Sequence, residues 1–486
     1  MNYYEKKAIP FIEKIKNKIG KKIKKGKYKE STELIKILSE FLYLTNQYFV
    51  DEELENYTQV LSDLTIGSME IDSVDDNKVL FYDGFGLDNR GLAQIYLKAL
   101  ARNGYQIIYV VDEKRKPFVT ETLSLISNNG SKAIFVKEND QISRAQSIKD
   151  VVVLEKPKSA FFYSTPNDVS GIMAFESVYG KVKKYLINLT DHAYWLGVKL
   201  FDYIVEFRDY GADISSRFRK VSIDKIIKLP FYPNVNTEQE FLGFPFEVDL
   251  EKQRVFFSGG SLYKTFGDND RYYKLVEKIL QKHSDLIFWY GGSGDFSKLE
   301  NLKQKFPKRV YYTAERKDLY QLLTHCAFYL STYPICGGLM FQYSAVAKKV
   351  PITLHHDDIS SDFLINQSEL LVEFDTEEEL LSELDKMLTD GRYLKQKEDR
   401  VFNSVLTEQQ FNVVLDKIIK GCDSGLSITY KESDINKLTE VYIKDFNFKK
   451  MAKILATKNV AVGLKYYPIY YVKGALGKIK NQLRKK

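Results

Sequence analysis

"STYPICGGLMFQYSAVAKKVPI", residues 331–352, opens as a loop, continues with helical periodicity and closes on a proline-led strand. Its two glycines, Gly337 and Gly338, stand where loop gives way to helix. Residues without a Cβ let a backbone approach something closely. A helix N-terminus at the same place presents N–H groups and the positive end of a dipole to an anion. The stretch therefore predicts a strand–loop–helix–strand unit whose glycine loop takes a phosphate. Leu339, Met340, Tyr343, Val346 and Ala347 follow helical spacing and are the face expected to pack on a sheet.

On the N-terminal side of this stretch the same alternation runs back to Arg254. "RVFFSGG" leads to "DNDRYYKLVEKILQKH", then "DLIFWYGG", "FSKLENLKQKF", "RVYYTA" and "RKDLYQLLTHC". Short apolar strands separated by amphipathic helices imply a parallel, doubly wound sheet. A second such region precedes it, beginning with "NKVLFYDGFGLDNRGLAQIYLKALARNGYQIIYVVDE" at residues 77–113, a βαβ unit. Its further strands are expected in "SKAIFV", "DVVVLE", "SAFFYS", "KYLINL" and "DYIVEF". "KLPFYPNVNTEQEFLGFPFEVDLEK" has three prolines and no period, which reads as a linker. The expected division is a helical extension at 1–75, a Rossmann-like domain at 76–232, a linker at 233–250, a second Rossmann-like domain at 251–425, and helices with a basic tail at 426–486. Two such domains facing each other would leave a ligand cleft at the carboxyl ends of their strands.

The chain of 486 residues is long enough for this, and 44% apolar residues supply the cores. Three cysteines without CxxC or Cys/His spacing exclude a disulfide framework and a zinc site. No apolar run is long enough for a membrane-spanning helix and no signal-peptide core opens the chain, so a cytoplasmic protein is expected. The charge is +7 and its basic residues gather at the ends. "EKIKNKIGKKIKKGKYKE" and "YYPIYYVKGALGKIKNQLRKK" combine lysines with apolar and aromatic residues, a pattern suited to an anionic membrane surface and also to a solvated helical face. No nucleic-acid-binding module is recognisable.

In layout, residues 254 to about 388 resemble the donor half of the GT-B glycosyltransferases. That half runs from a strand through a glycine loop into a helix ending in small residues, then a strand starting with proline. The resemblance implies transfer of a sugar from a nucleotide diphosphate sugar to a glycan, lipid-linked or protein acceptor, with no cofactor beyond that donor. The two glutamates typical of many retaining members fall here on Cys336 and Ser344, which points to an inverting enzyme. With no carboxylate pair at a strand end and no His/Cys ligand set in the sequence, transfer without a divalent metal is expected. Two alternatives stay open: a polyol-phosphate transferase of teichoic-acid type, and an inactive GT-B protein that stabilises a partner transferase.

Donor contacts are expected from Gly259, Gly260, Ser261 and Lys264 of "FFSGGSLYKTFGD", from Arg316, and from Tyr333, Gly337, Gly338 and Ser344. Lys264 would offset charge on the departing diphosphate. His192 and Asp191, following the strand "KYLINL", are the candidate catalytic pair, with His192 as base; Asp191 is expected to be too close in sequence to orient it easily. Arg208 and Asp209 are lesser candidates. Asp83, Gly84 and Asp88 of "YDGFGLDNRGL" face the acceptor in the GT-B layout, and Asn89 breaks a GxGxxG reading. His355, His356, Asp357 and Asp358 are adjacent and cannot easily converge on one metal ion, so Asp357 is assigned to sugar hydroxyls.

Overall fold

The computed structural model describes residues 5–46, 48–88, 91–128, 130–356, 360–430, 445–458 and 460–483. The chain forms two compact units, one of residues 1–229 and 412–486, the other of residues 230–411.

The first unit is built on seven parallel strands: β1 (Asp75–Asp83), β2 (Gln106–Asp112), β3 (Lys132–Val136), β4 (Pro157–Tyr163), β5 (Lys183–Asn188), β6 (Tyr203–Glu206) and β7 (Ile226–Lys228). Their spatial order is 3-2-1-4-5-6-7. Val79–Asp83 of β1 and Ile107–Val111 of β2 are buried at every position, as strands covered on both faces must be. One expectation fails here. "DVVVLE", read as a strand, is the end of helix Gln141–Glu155, which is capped at Asp140. A run of four apolar residues suits a buried helix end as well as a strand.

The N-terminal helices are not an appendage. Helices Glu5–Lys24, Tyr28–Thr45 and Glu52–Thr65 contribute Phe11, Leu38, Phe41 and Leu54 to the same core as Leu80 of β1 and Ile108 of β2. Met451, Leu455 and Tyr467 from the C-terminal segment enter it too. On the opposite sheet surface, Tyr105 donates to Asp416 and Tyr185 to the Ile418 carbonyl, so the last part of helix Glu408–Ile419 belongs to this unit. Residues 412–425 thus leave the expected donor domain.

The second unit repeats the plan. Strands β8 (Arg254–Ser261), β9 (Leu286–Ser293), β10 (Val310–Thr313), β11 (Tyr329–Leu330), β12 (Pro351–Leu354) and β13 (Glu373–Phe374) are parallel, in the order 10-9-8-11-12-13. Residues 233–250, expected as a linker, lie within this unit. Phe246 stacks on Tyr311 at 4.1 Å and Phe241 on His325 at 4.0 Å, with Phe244 against Trp289. Among the described residues no helix is long and apolar enough to cross a membrane.

Both sheets reverse direction once, between β1 and β4 in the first unit and between β8 and β11 in the second. Ligands of open α/β sheets bind at the carboxyl ends of strands at such a reversal.

Candidate functional site

In the second unit the reversal brings together the two glycine loops singled out in the sequence. Gly259 and Gly260 close β8, in register with Gly291 and Gly292 of β9. These four glycines have different causes. A Cβ on Gly259 would stand 2.9 Å from the Gly291 carbonyl, and one on Gly292 would run into the Gly260 carbonyl, so both serve sheet packing. Gly260 has φ +124° and nothing within 4 Å of where a Cβ would be. Its backbone is held by Tyr290, whose hydroxyl donates to the Gly260 carbonyl at 3.0 Å. Here the chain is fixed, left-handed and open.

Ser261 ends the strand half-buried, and the short 3-10 turn Leu262–Thr265 carries Lys264 back across the reversal. The Lys264 carbonyl accepts from the Ile335 N–H at 3.2 Å, tying the two loops together. A Cβ on Gly337 would lie 3.8 Å from Lys264 Nζ and 3.7 Å from Thr332 Oγ1. The lysine ammonium therefore sits at the start of helix Gly338–Val346, whose N-cap is Gly337. A cation and a helix N-terminus in one place are two independent attractions for an anion.

The remaining donor candidates divide. A Cβ on Gly338 would collide with the Phe363 ring, so packing alone requires this glycine. Ser344 is fully buried and its hydroxyl donates to the Lys349 carbonyl at 2.7 Å. The buried residues of the helix are Phe341, Gln342, Ser344 and Ala345, with Ala347, expected there, buried at its end; Leu339, Met340, Tyr343 and Val346, also expected there, are only half-buried. Arg316 does not face the glycine loops: it pairs with buried Asp318, donates to the Gly243 carbonyl at 2.8 Å and lies on the Trp289 ring. Asp318 is held below the usual carboxylate range because Arg316 and the Leu242 N–H outweigh the opposing effect of burial.

Tyr333 is placed beside the site, after β11, but its hydroxyl is engaged. It donates to Asp268 at 2.6 Å and receives Arg271 at 3.1 Å. Asp268, Asn269 and Asp270 all have positive φ, at 44°, 52° and 62°. Three consecutive L-residues in that region are costly and need a surrounding structure that enforces them. Arg271, bonded to Tyr333 and paired with Glu377, supplies it. Neither Asp268 nor Arg271 was signalled by the sequence, since each sits in an ordinary polar helix start. His355 pairs with Glu373 at 3.0 Å and the His356 ring lies 5.7 Å from Tyr333. Asp357 and Asp358 lie outside the described residues. Among the described residues no group of three His, Cys, Asp or Glu side chains is placed to hold a metal ion.

The reversal of the first unit is closed. A Cβ on Gly84 would collide with Ser164 Oγ, and Asp168 Oδ2 lies just behind. Asp168 caps helix Val169–Glu176 through the Gly171 N–H and accepts from Tyr82 at 2.7 Å. Asp83, expected to meet an acceptor, is buried and accepts from Phe85 N–H, Gly86 N–H and Tyr109 hydroxyl at 3.0, 2.7 and 2.7 Å. Burial outweighs these donors and pushes its carboxyl up to about 6. Asp88 accepts from Glu121 N–H at 2.8 Å and from both the N–H and hydroxyl of Thr122, so it anchors the start of helix Thr120–Asn128. These aspartates hold loops together.

The candidate catalytic pair, His192 and Asp191, sits after β5. Contrary to expectation, Asp191 does orient its neighbour: Asp191 Oδ1 lies 3.2 Å from His192 Nδ1. The other oxygen, Oδ2, accepts from Arg208 Nε at 2.5 Å. Burial alone would raise the Asp191 carboxyl, but Arg208 and His192 outweigh it and hold Asp191 well below the usual carboxylate range. An ionised acceptor at Nδ1 favours the tautomer with its proton there, which leaves the lone pair on Nε2. His192 itself is half-buried.

The loop carrying this pair is pinned from behind by residues the sequence did not mark. Buried Arg219 donates to the carbonyls of Thr190, Asp191 and Ala193 at 3.0, 2.9 and 2.6 Å. Asn46, ending helix Tyr28–Thr45, donates to the His192 carbonyl at 3.2 Å. Glu55 accepts the Gly197 N–H at 2.9 Å. Two elements of the N-terminal extension thus shape the His192 loop.

No protein-family model matches the sequence, and no curated protein is similar to it. Solved structures share its fold. An O-GlcNAc transferase variant from Thermobaculum terrenum is 13% identical, with 84% of each chain covered and a TM-score of 0.51. Anabaena HepE, solved in complex with UDP and glucose, is 11% identical over 70% of this chain and 99% of its own, with a TM-score of 0.50. The chain has the GT-B fold, two Rossmann-like α/β domains.

Proposed function

We propose that the protein is a glycosyltransferase whose nucleoside diphosphate sugar is held at the strand reversal of the second unit. The observation that carries this is the meeting of Lys264 Nζ with the Gly337 helix start, beside the open backbone of Gly260. A diphosphate needs charge neutralisation and backbone donors together, and this is where the unit offers both. The GT-B fold, and a relative of that fold solved with UDP and glucose, support the same reading.

In this reading His192 Nε2 takes the proton of an acceptor hydroxyl. The freed oxygen attacks the anomeric carbon of the donor, inverting it, as the bond to the diphosphate breaks. Asp191, fixed by Arg208, steadies the resulting imidazolium, while Lys264 and the helix N–H groups receive the charge on the leaving diphosphate. The acceptor is a glycan, a lipid-linked sugar or a protein, and the reaction runs without a divalent metal.

A thermal-shift screen of nucleoside diphosphates and their sugars tests this. One nucleotide should raise the melting temperature more than the others, because a ligand that binds only the folded state stabilises it. The matching sugar nucleotide should be turned over in the presence of EDTA. No shift with any nucleotide would refute the donor site. Binding without turnover on any acceptor would instead identify an inactive GT-B partner protein.

A further inference from the structure

The two basic ends of the chain, far apart in sequence, are joined in the fold. Phe11 of helix Glu5–Lys24 packs edge-on against Tyr466 and Tyr467, with centroids 5.6 Å away in both cases, and Phe41 completes the cluster. Tyr467 directly precedes helix Pro468–Leu483. One side of that helix is docked: a Cβ on Gly474 would lie 2.8 Å from Lys453 Cα of helix Asp445–Thr457, so the two helices meet with their backbones close together. The opposite side is apolar and open. Ile469, Val472, Leu476 and Ile479 are 61%, 47%, 60% and 53% exposed. At 3.6 residues per turn they form one stripe on one face. Lys473 and Lys480, both exposed, border that stripe.

We propose that this face lies on an anionic lipid surface, an inference independent of the reaction assigned above. Four large apolar side chains in a row on a soluble surface call for a covering partner. Charge identifies the partner. Between Phe446 and Lys486 there are eleven Lys and Arg and no Asp or Glu, more than the +7 of the whole chain. The helix that Phe11 fastens alongside adds a second lysine-rich segment, with Lys14, Lys21 and Lys24 exposed. An apolar stripe edged by lysines fits the boundary between headgroups and acyl chains of an anionic leaflet, where the stripe is buried and the lysines meet phosphates.

The test is co-sedimentation of the full chain with phosphatidylcholine vesicles, with and without 30% phosphatidylglycerol, at low and high salt. Binding is expected only to the anionic vesicles. It should weaken at least tenfold when Ile469, Val472, Leu476 and Ile479 are all replaced by serine, and should weaken and lose salt sensitivity in Lys473→Gln/Lys480→Gln. These positions are exposed, so an unchanged melting temperature shows that the variants remain folded. In Leu476→Trp, indole emission should shift to the blue with anionic vesicles. No binding by the wild-type chain, or equal binding by the serine variant, would overturn the proposal. So would a self-association that the serine variant abolishes while vesicles have no effect, since the stripe would then be a protein interface.

Discussion

The two units share a strand order and differ at its reversal. In the first, Gly84 is closed over by Ser164 and Asp168, and Asp83 is consumed by three donors of its own unit. In the second, Gly260 faces open space and Lys264 stands at a helix start. Topology therefore supplies two crevices of equal standing; side chains fill the first, while the second keeps an open backbone and a lysine at a helix start. In the first unit the candidate catalytic side chains lie instead on the neighbouring loop after β5, where Arg208, Asp191 and His192 form a chain of charge-assisted contacts.

The largest effect should come from those side chains. His192→Ala is expected to lower kcat by roughly 10²-fold or more, about 2.7 kcal/mol of barrier, with donor affinity nearly intact. His192→Asn, which cannot accept a proton, should be equally slow. Full turnover in steady-state assays of either variant would make the residue structural.

Closure of the first crevice can be broken directly. Gly84→Ala should destabilise the protein by about 1–3 kcal/mol, because the added methyl has no room beside Ser164. Chemical denaturation of Gly84→Ala and of Gly84→Ala/Ser164→Ala should show the loss and its partial recovery. A fully stable single variant would mean the crevice is open after all.

The lining of the second crevice is sharpened by Lys264→Ala. Donor affinity should fall about tenfold, near 1.4 kcal/mol, with unfolding unaffected. Titration at increasing ionic strength should show the wild type converging on the variant, since a half-buried cation is screened.

The smallest effect concerns the support of the His192 loop. Burial pushes the Glu55 carboxyl up to about 8, against an ordinary 4.5. Glu55 is therefore protonated in the folded chain over a range where the unfolded chain has ionised. Its contribution to stability is complete below about 4.5 and is lost as pH rises towards 8. Wild-type melting temperature should fall between pH 5 and 8, and Glu55→Gln should flatten the profile. An identical profile in the variant would show that Glu55 does not titrate there.

Much of this architecture is readable from residues alone, because strands buried on both faces are continuous apolar runs and the helices between them are amphipathic. "DVVVLE" was ambiguous for the reason given by its length: four apolar residues fit either element. The site was legible as far as local backbone decides it. Gly260 and Gly337 take their backbone conformations from a strand end and a helix start, which sequence spacing reveals. Gly338, Ser344 and Arg316 owe their places to Phe363, the Lys349 carbonyl and Asp318, partners fixed only once the chain has folded. Asp191 shows the opposite limit. Adjacent side chains diverge in a strand, but in the turn after β5 they converge within hydrogen-bond range. Arg219 and Asn46, which fasten that turn, lie in elements remote in sequence and carry no local mark.

The contrast between the two crevices is tested most directly by calorimetric titration of nucleoside diphosphates into the wild type, Gly337→Val and Gly84→Ala. At Gly337 an added Cβ meets only ordinary contacts, at 3.7 Å or more, so the fold should accept the branched side chain while the approach of a phosphate is blocked. The account predicts saturable binding to the wild type, affinity at least tenfold weaker for a folded Gly337→Val, and unchanged affinity for Gly84→Ala. Equal affinity in the wild type and Gly337→Val, or loss of binding in Gly84→Ala alone, would contradict it.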